Sequence, residues 1–236
     1  VLIENNIFEN NWADAQNGFA ILFTPRNGGG TAPWNVVQDI TFRRNIVRHS
    51  SSGVNILGTD YNHPTQQTKR ILIQDNLFED INGDKWGGHG ILFQLLDGTA
   101  DVVIEHNTGL QDGNIIKVEG ARPHTGFVYR NNVTPHNHTG INGSETGQGN
   151  AALKRYFPGA RVEKNVFAGG SDSTYPKDNF FPPSLDKLSF ANRALGDYRL
   201  GDSSLAKKGT DGKDPGADFS LLADALKAKS GNSGRR

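Results

Sequence analysis

Four residues close together, Lys117, Glu119, Arg122 and His124, form the densest group of side chains able to do chemistry. Abstraction of a proton from an acidic sugar needs a base and a cation that neutralises the neighbouring carboxylate. Lysine, arginine, histidine or a bound calcium ion can fill those roles. Lys117, Glu119, Arg122 and His124 are therefore the catalytic candidates, and Asn55, Asp60, His63, Trp86 and Gln94 the substrate-binding ones. A plainer reading stands beside this one: Lys117 and Glu119, two apart on a strand, share a face and simply pair with each other, which is worth little.

Carboxylates on opposing loops could instead make a glycosidase pair. Asp60 with His63, Asp84 with His89, and Asp97 fall on successive inserts, but no Asp-Asp doublet occurs. His136-Asn137-His138 has the spacing of two metal ligands on a strand, without a recognisable third. Trp34 and Trp86 suit either sugar stacking or loop packing.

The elements that position these groups are announced by a repeated phrase. It reads Ile3-Glu4-Asn5-Asn6-Ile7-Phe8, then Phe42-Arg43-Arg44-Asn45-Ile46-Val47, then Ile73-Gln74-Asp75-Asn76-Leu77-Phe78. Ile104-Glu105-His106-Asn107, Tyr129-Arg130-Asn131-Asn132-Val133 and Val162-Glu163-Lys164-Asn165-Val166-Phe167 follow. The phrase is constant while its spacing varies, from 25 to 39 residues. A fixed cross-section carrying loops of unequal length has that signature.

Alternating β-branched residues before each phrase, such as Arg70-Ile71-Leu72-Ile73, read as a strand. A short strand follows each asparagine, and a third opens near a glycine, as in Gly90-Ile91-Leu92-Phe93-Gln94. Three strands per coil predict an all-β, right-handed parallel β-helix. Asn6, Asn45, Asn76, Asn107, Asn132 and Asn165 are expected at its tight bends, tolerating a left-handed backbone and bonding to one another along the stack. A leucine-rich repeat shares the apolar-x-x-Asn pattern, but the inserts here are rich in Pro, Gly and Asn and lack a helical period.

Alternation on the glycine-led strand predicts an outward column: Ala20 and Leu22, Asn55 and Leu57, Leu92 and Gln94, Lys117 and Glu119, then Asn142 and Ser144. The coils are expected over 1–170, a loop and cap over 171–229 and a disordered tail over 230–236. Asp218 is a plausible N-cap for a short C-terminal capping helix, with Phe219, Leu222 and Leu226 on one face. The aromatics of 175–183 are expected against the side of the solenoid.

With these features the chain resembles the pectin-lyase-like superfamily of right-handed β-helix proteins, in particular bacterial repeat proteins without an assigned activity. The resemblance spans roughly residues 1–218. It includes Asn11-Trp12-Ala13-Asp14-Ala15-Gln16, Thr31-Ala32-Pro33-Trp34, Arg155-Tyr156-Phe157-Pro158-Gly159 and the run from Thr210 to Asp218. It implies a polysaccharide or oligosaccharide partner, met by a lyase or hydrolase, or by a non-catalytic structural or glycan-binding module.

The 25 basic and 25 acidic residues balance, and no basic stripe with interleaved aromatics occurs, which argues against nucleic acid as a partner. No apolar run approaches the ~20 residues of a membrane span. Zero cysteines exclude a disulfide scaffold and a thiolate site. Their absence also suits export, so an extracellular or periplasmic location is expected. Because Val1 already lies in a strand-like run, any signal peptide and further coils are expected upstream. The sequence specifies no cofactor, and calcium is the one candidate.

Overall fold

The computed structural model describes residues 1–11, 14, 18–201 and 204–222. The first coil contains β1 (Leu2–Glu4), β2 (Ile7–Glu9) and β3 (Phe19–Phe23). The second contains β4 (Gln38–Arg43), β5 (Ile46–Ser50) and β6 (Ser52–Leu57), and the third β7 (Lys69–Gln74), β8 (Leu77–Ile81) and β9 (Phe93–Leu96), with helix α1 (Gly83–Trp86) before β9. β10 (Ala100–Glu105), β11 (Thr108–Gln111) and β12 (Ile116–Glu119) make the fourth. The fifth has β13 (Val128–Arg130), β14 (Val133–Pro135) and β15 (Ile141–Gly143), followed by β16 (Gly147–Gln148) and helix α2 (Asn150–Tyr156). β17 (Arg161–Glu163) and β18 (Val166–Ala168) begin a sixth.

Equivalent strands pair across coils. Sheet A runs β1-β4-β7-β10-β13-β17, sheet B runs β2-β5-β8-β11-β14-β18, and sheet C runs β3-β6-β9-β12-β15-β16. Every pairing among them is parallel except β15 with β16. The chain is therefore an all-β solenoid. No helix of the described residues is long and apolar enough to cross a membrane.

Alternation sends one residue of each pair inward, and the three sheets enclose one apolar column. Aromatic rings run along its axis: Phe78 meets Phe93 edge-on at 5.4 Å, Phe93 meets Tyr129 at 6.4 Å, and Tyr129 stacks on Phe167 at 6.1 Å. Leu92, expected to face outward, points into this column. Its partner there is Gly109 on β11, where an added Cβ would lie 2.4 Å from Leu92 Cδ2. The missing side chain of one strand makes room for the turned-in leucine of the coil before.

The six asparagines are joined in one hydrogen-bonded series. Each amide nitrogen donates to the carbonyl oxygen of the next asparagine, from Asn6 to Asn45 at 3.1 Å through to Asn132 to Asn165 at 3.0 Å. Their backbones are not the left-handed ones. That conformation belongs to the residue before each: Asn5, Arg44, Asp75, His106, Asn131 and Lys164, with φ of 51–59°. Four of those are not asparagine. The repeated asparagine thus answers to hydrogen bonding, since the buried bend must satisfy its polar groups, and not to the left-handed turn.

The series continues to Asn179, whose Oδ1 accepts from the Asn165 amide at 3.0 Å. Residues 178–182 lie along the sixth coil through Phe180 N–H to Asn165 O and Phe167 N–H to Phe180 O. Tyr175 and Phe181 extend the ring column beyond Phe167. Tyr175 and Phe181 thus close the end of the stack, whereas Phe180 lies on its side, packed against Val133 and Val166. The phrase Asp178-Asn179-Phe180-Phe181 repeats the bend motif only 14 residues after Asn165, so its spacing disguises it. Helix α2 closes the same end with Ala152, Leu153 and Tyr156.

The rest of the C-terminal region covers the outside of sheet B. A hairpin of β19 (Phe190–Asn192) and β20 (Asp197–Leu200) packs with Leu188 and Leu205 over Val133 and Val166. A helix begins after Asp218, whose carboxylate accepts from Ser220 N–H at 3.0 Å. Phe219 and Leu222 from it cover Ile46 and Leu77. The expected third member of that stripe, Leu226, and the tail 230–236 lie outside the described residues.

Candidate functional site

Sheet C is the face whose outward side chains include the catalytic candidates. Parallel register aligns Leu22, Asn55, Gln94, Lys117 and Asn142, one from each successive strand. A second row aligns Leu57, Leu96 and Glu119. Inserts leave sheet C at the ends of β3 and β6 and enter it ahead of β9, so loops border the face on two sides. Ser144 follows β15 and is exposed.

Lys117 Nζ lies 3.6 Å from Glu119 Oε1, and both side chains are partly open to solvent. Such an ion pair contributes little to stability, roughly 0–1 kcal/mol, so the fold does not depend on it. Asn55 is only 6% exposed, and its Oδ1 has no hydrogen-bond partner. Arg122 Nη1 donates to Thr59 Oγ1 at 3.0 Å, tying the loop after β12 to the insert after β6.

His124 does not join this group. It is fully buried, stacked on Phe157 at 5.0 Å, and its Nδ1 accepts from Thr99 N–H at 3.0 Å. Burial pushes its pKa from 6.5 down to about 4, so the ring is neutral at pH 7. An unfolded chain takes up this proton first, at the higher pH. The stability contribution is thus complete above 6.5 and is lost as pH falls towards about 4, by about 3 kcal/mol in all. In His124→Asn, which keeps an acceptor for Thr99 N–H, urea titrations should show a shallower decline across that window. An unchanged pH profile would assign the acid sensitivity elsewhere.

Asp60 is buried and acts as a staple between two inserts. Its carboxylate accepts from Asn27 N–H at 2.9 Å and Asn62 N–H at 3.0 Å, and these bonds hold it below the ordinary carboxylate range. His63 is exposed beside Gly30. Asp84 and His89 are exposed. His136 is buried edge-on against Tyr175, while His138 is exposed. Among the described residues no three His, Asp or Glu side chains converge as metal ligands do.

Trp34 and Trp86 do not share a wall. Trp34, 71% exposed, stands on the insert after β3, whereas Trp86 belongs to α1, ahead of β9. Trp86 Nε1 donates to Asp80 Oδ2 at 3.1 Å. The same oxygen meets His49 Nδ1 and Lys85 Nζ, each at 2.8 Å. Burial tends to raise the Asp80 pKa, but the bonds from Lys85, His49 and Trp86 outweigh it and hold the carboxyl low. Tyr61, 68% exposed with Arg26 Cζ 5.4 Å from its ring centre, is a further aromatic on the insert after β6. Its signal in the sequence was a lone aromatic next to Asp60, in an insert otherwise without large apolar residues. Neither the protein-family models nor the curated proteins and solved structures include a match to this chain.

Proposed function

We propose that the chain is a secreted β-helix protein, right-handed and of the pectin-lyase-like kind, that binds an extended polysaccharide along the outer face of sheet C. The observation that carries this reading is the in-register row Asn55, Gln94, Lys117 and Asn142. Parallel strands repeat about every 4.8 Å. A polymer lying along the solenoid axis therefore meets open polar side chains at Gln94, Lys117 and Asn142 on the third, fourth and fifth coils, with Asn55 nearly buried in the second. Exposed Trp34 and Tyr61, on the inserts that leave sheet C after β3 and β6, supply apolar faces of the sort that sugar rings stack on. Lys117 gives the row a single cation, which favours a polymer bearing carboxylates. The surrounding compartment is extracellular or periplasmic in this reading.

Binding to a panel of polyuronates and neutral glycans tests it. Lys117→Ala should weaken retention of a polyuronate about tenfold, the scale of one charged hydrogen bond, with little effect on neutral chains. Absence of binding to every glycan tried would overturn the reading.

A catalytic version rests on the 3.6 Å pairing of Lys117 with Glu119. In it the neutral amine of Lys117 would take the C5 proton of a uronate as the C4–O bond breaks and a C4=C5 double bond forms. The departing oxygen would take a proton from solvent, and Arg122 or a bound calcium ion would neutralise the carboxylate. Unsaturated products from a polyuronate, lost in Lys117→Ala, would support lyase action. Binding without new chain ends leaves the non-catalytic module.

A further inference from the structure

The residues that precede the bend asparagines form a column of their own, on the outside of the turn between sheets A and B. Residues 209–220 return across it. Thr210 N–H donates to Asn131 Oδ1 at 2.9 Å, Gly216 N–H to Asn131 O at 2.7 Å, and Ala217 N–H to Thr108 Oγ1 at 3.0 Å. Between this segment, the β19–β20 hairpin and the column lies a cavity of about 680 Å³. That volume is in the range of small-molecule sites.

Asp75 and His106 line the cavity and are 8% and 6% exposed. The histidine is fully engaged: Nδ1 meets Gly216 O at 3.3 Å, and Nε2 meets Asn131 Nδ2 at 2.9 Å and the Asp211 carboxylate at 3.3 Å. Asp75 is not. Among the described residues its carboxylate accepts one hydrogen bond, a 3.4 Å contact from Asp218 N–H to Oδ1, and no cation pairs with it. Arg44 and His106 on the flanking bends, and Lys213 and Asp218 on the returning segment, are the charged groups around it. Burial outweighs the attraction of His106 and Lys213 and pushes its carboxyl above the usual range. The other lining carboxylates are engaged, Asp214 by Lys207 N–H and Asp218 by Ser220. Tyr198 and Phe219, with ring centres 6.1 Å apart, supply aromatic walls.

We infer that this cavity binds a small organic amine, whose ammonium group pairs with the Asp75 carboxylate against the Tyr198 and Phe219 rings. A buried carboxylate without a counter-ion is costly and is relieved either by a proton or by a cation brought from outside. Aromatic faces favour an organic cation over a fully hydrated one. Lys207 and Lys213 also line the cavity, but both are exposed and keep their charge in water.

Calorimetry on the whole chain with benzylamine, benzyl alcohol and benzoate separates charge from shape. Benzylamine is expected to bind at least about tenfold more tightly than benzyl alcohol, and benzoate least. Its affinity should fall as pH is lowered and protons compete for Asp75. Asp75→Asn should abolish the preference for the amine while thermal unfolding shows the fold intact or more stable. Lys213→Ala should leave or strengthen amine binding. Tightest binding of benzoate, lost in Lys213→Ala, would assign the cavity to anions and overturn the inference. Equal binding of all three probes, no binding of any, or an unaltered Asp75→Asn would overturn it too.

Discussion

Replacement of Asn107 by alanine is expected to destabilise the protein by about 3–5 kcal/mol, a large share of the stability of a single domain. Asn107 sits at the middle of the asparagine series. Its Nδ2 donates to Asn132 Oδ1, Ile73 O and Glu105 O, each at 3.0 Å. Its Oδ1 accepts from Asn76 N–H at 3.0 Å and Asn76 Nδ2 at 2.9 Å. Alanine leaves the Asn76 backbone N–H and the Ile73 carbonyl without these partners in a bend that water does not reach. Each buried orphan costs roughly 1–3 kcal/mol. Asn107→Asp separates hydrogen bonding from volume, because it keeps the shape but cannot donate and sets a carboxylate against Asn132 Oδ1. Both variants should lower the urea midpoint by similar amounts. A loss below about 1 kcal/mol in either would mean that the bends are held by packing alone.

Phe93→Ala should cost a comparable amount, about 3–5 kcal/mol, by a different route. Phe93 is fully buried on β9 and links the rings of Phe78 and Tyr129 across the interior. The strands above and below are fixed by their ladders, so the column cannot collapse into the space left. Phe93→Leu refills most of the volume and should recover more than half of the loss. Equal stabilities for the alanine and leucine variants would show that the column relaxes freely. Neither substitution touches the outward row on sheet C. If the amount of folded protein is held equal, glycan retention should be unchanged in both.

The fold was legible to the extent that it rests on repeated local chemistry. Strand alternation and the apolar-x-x-Asn phrase place all six bends, because a buried bend makes the same hydrogen-bonding demand at each coil. Asn179 escaped because its copy of the phrase arrives 14 residues after the last, with no full coil between. Helix α2 escaped because its seven residues are too few for a periodic signal. Leu92 was misplaced because alternation assumes a regular strand, and here the turn ahead of β9 faces the gap left by Gly109.

The candidate site was legible only in part. Lys117, Glu119, Gln94 and Asn55 share one face because a strand has period two and parallel register carries it from coil to coil. His124 lies five residues beyond Glu119, and nothing in that spacing tells that the loop turns inward onto Phe157. Asp60 likewise reads as an exposed loop acid until Asn27, 33 residues earlier, is seen to donate to it.

By itself, then, the sequence determined the solenoid, its coils and the outward row, since each follows from interactions repeated at short range. Only the tertiary structure decided which polar residues remain available. Burial and hydrogen-bond partnership depend on where unequal inserts and the C-terminal segment come to rest, and no local pattern encodes that. The same physics that withdrew His124 from the sheet C face set Asp75, an ordinary turn residue by sequence, without a counter-ion among the described residues, in a cavity closed by residues well over a hundred positions away.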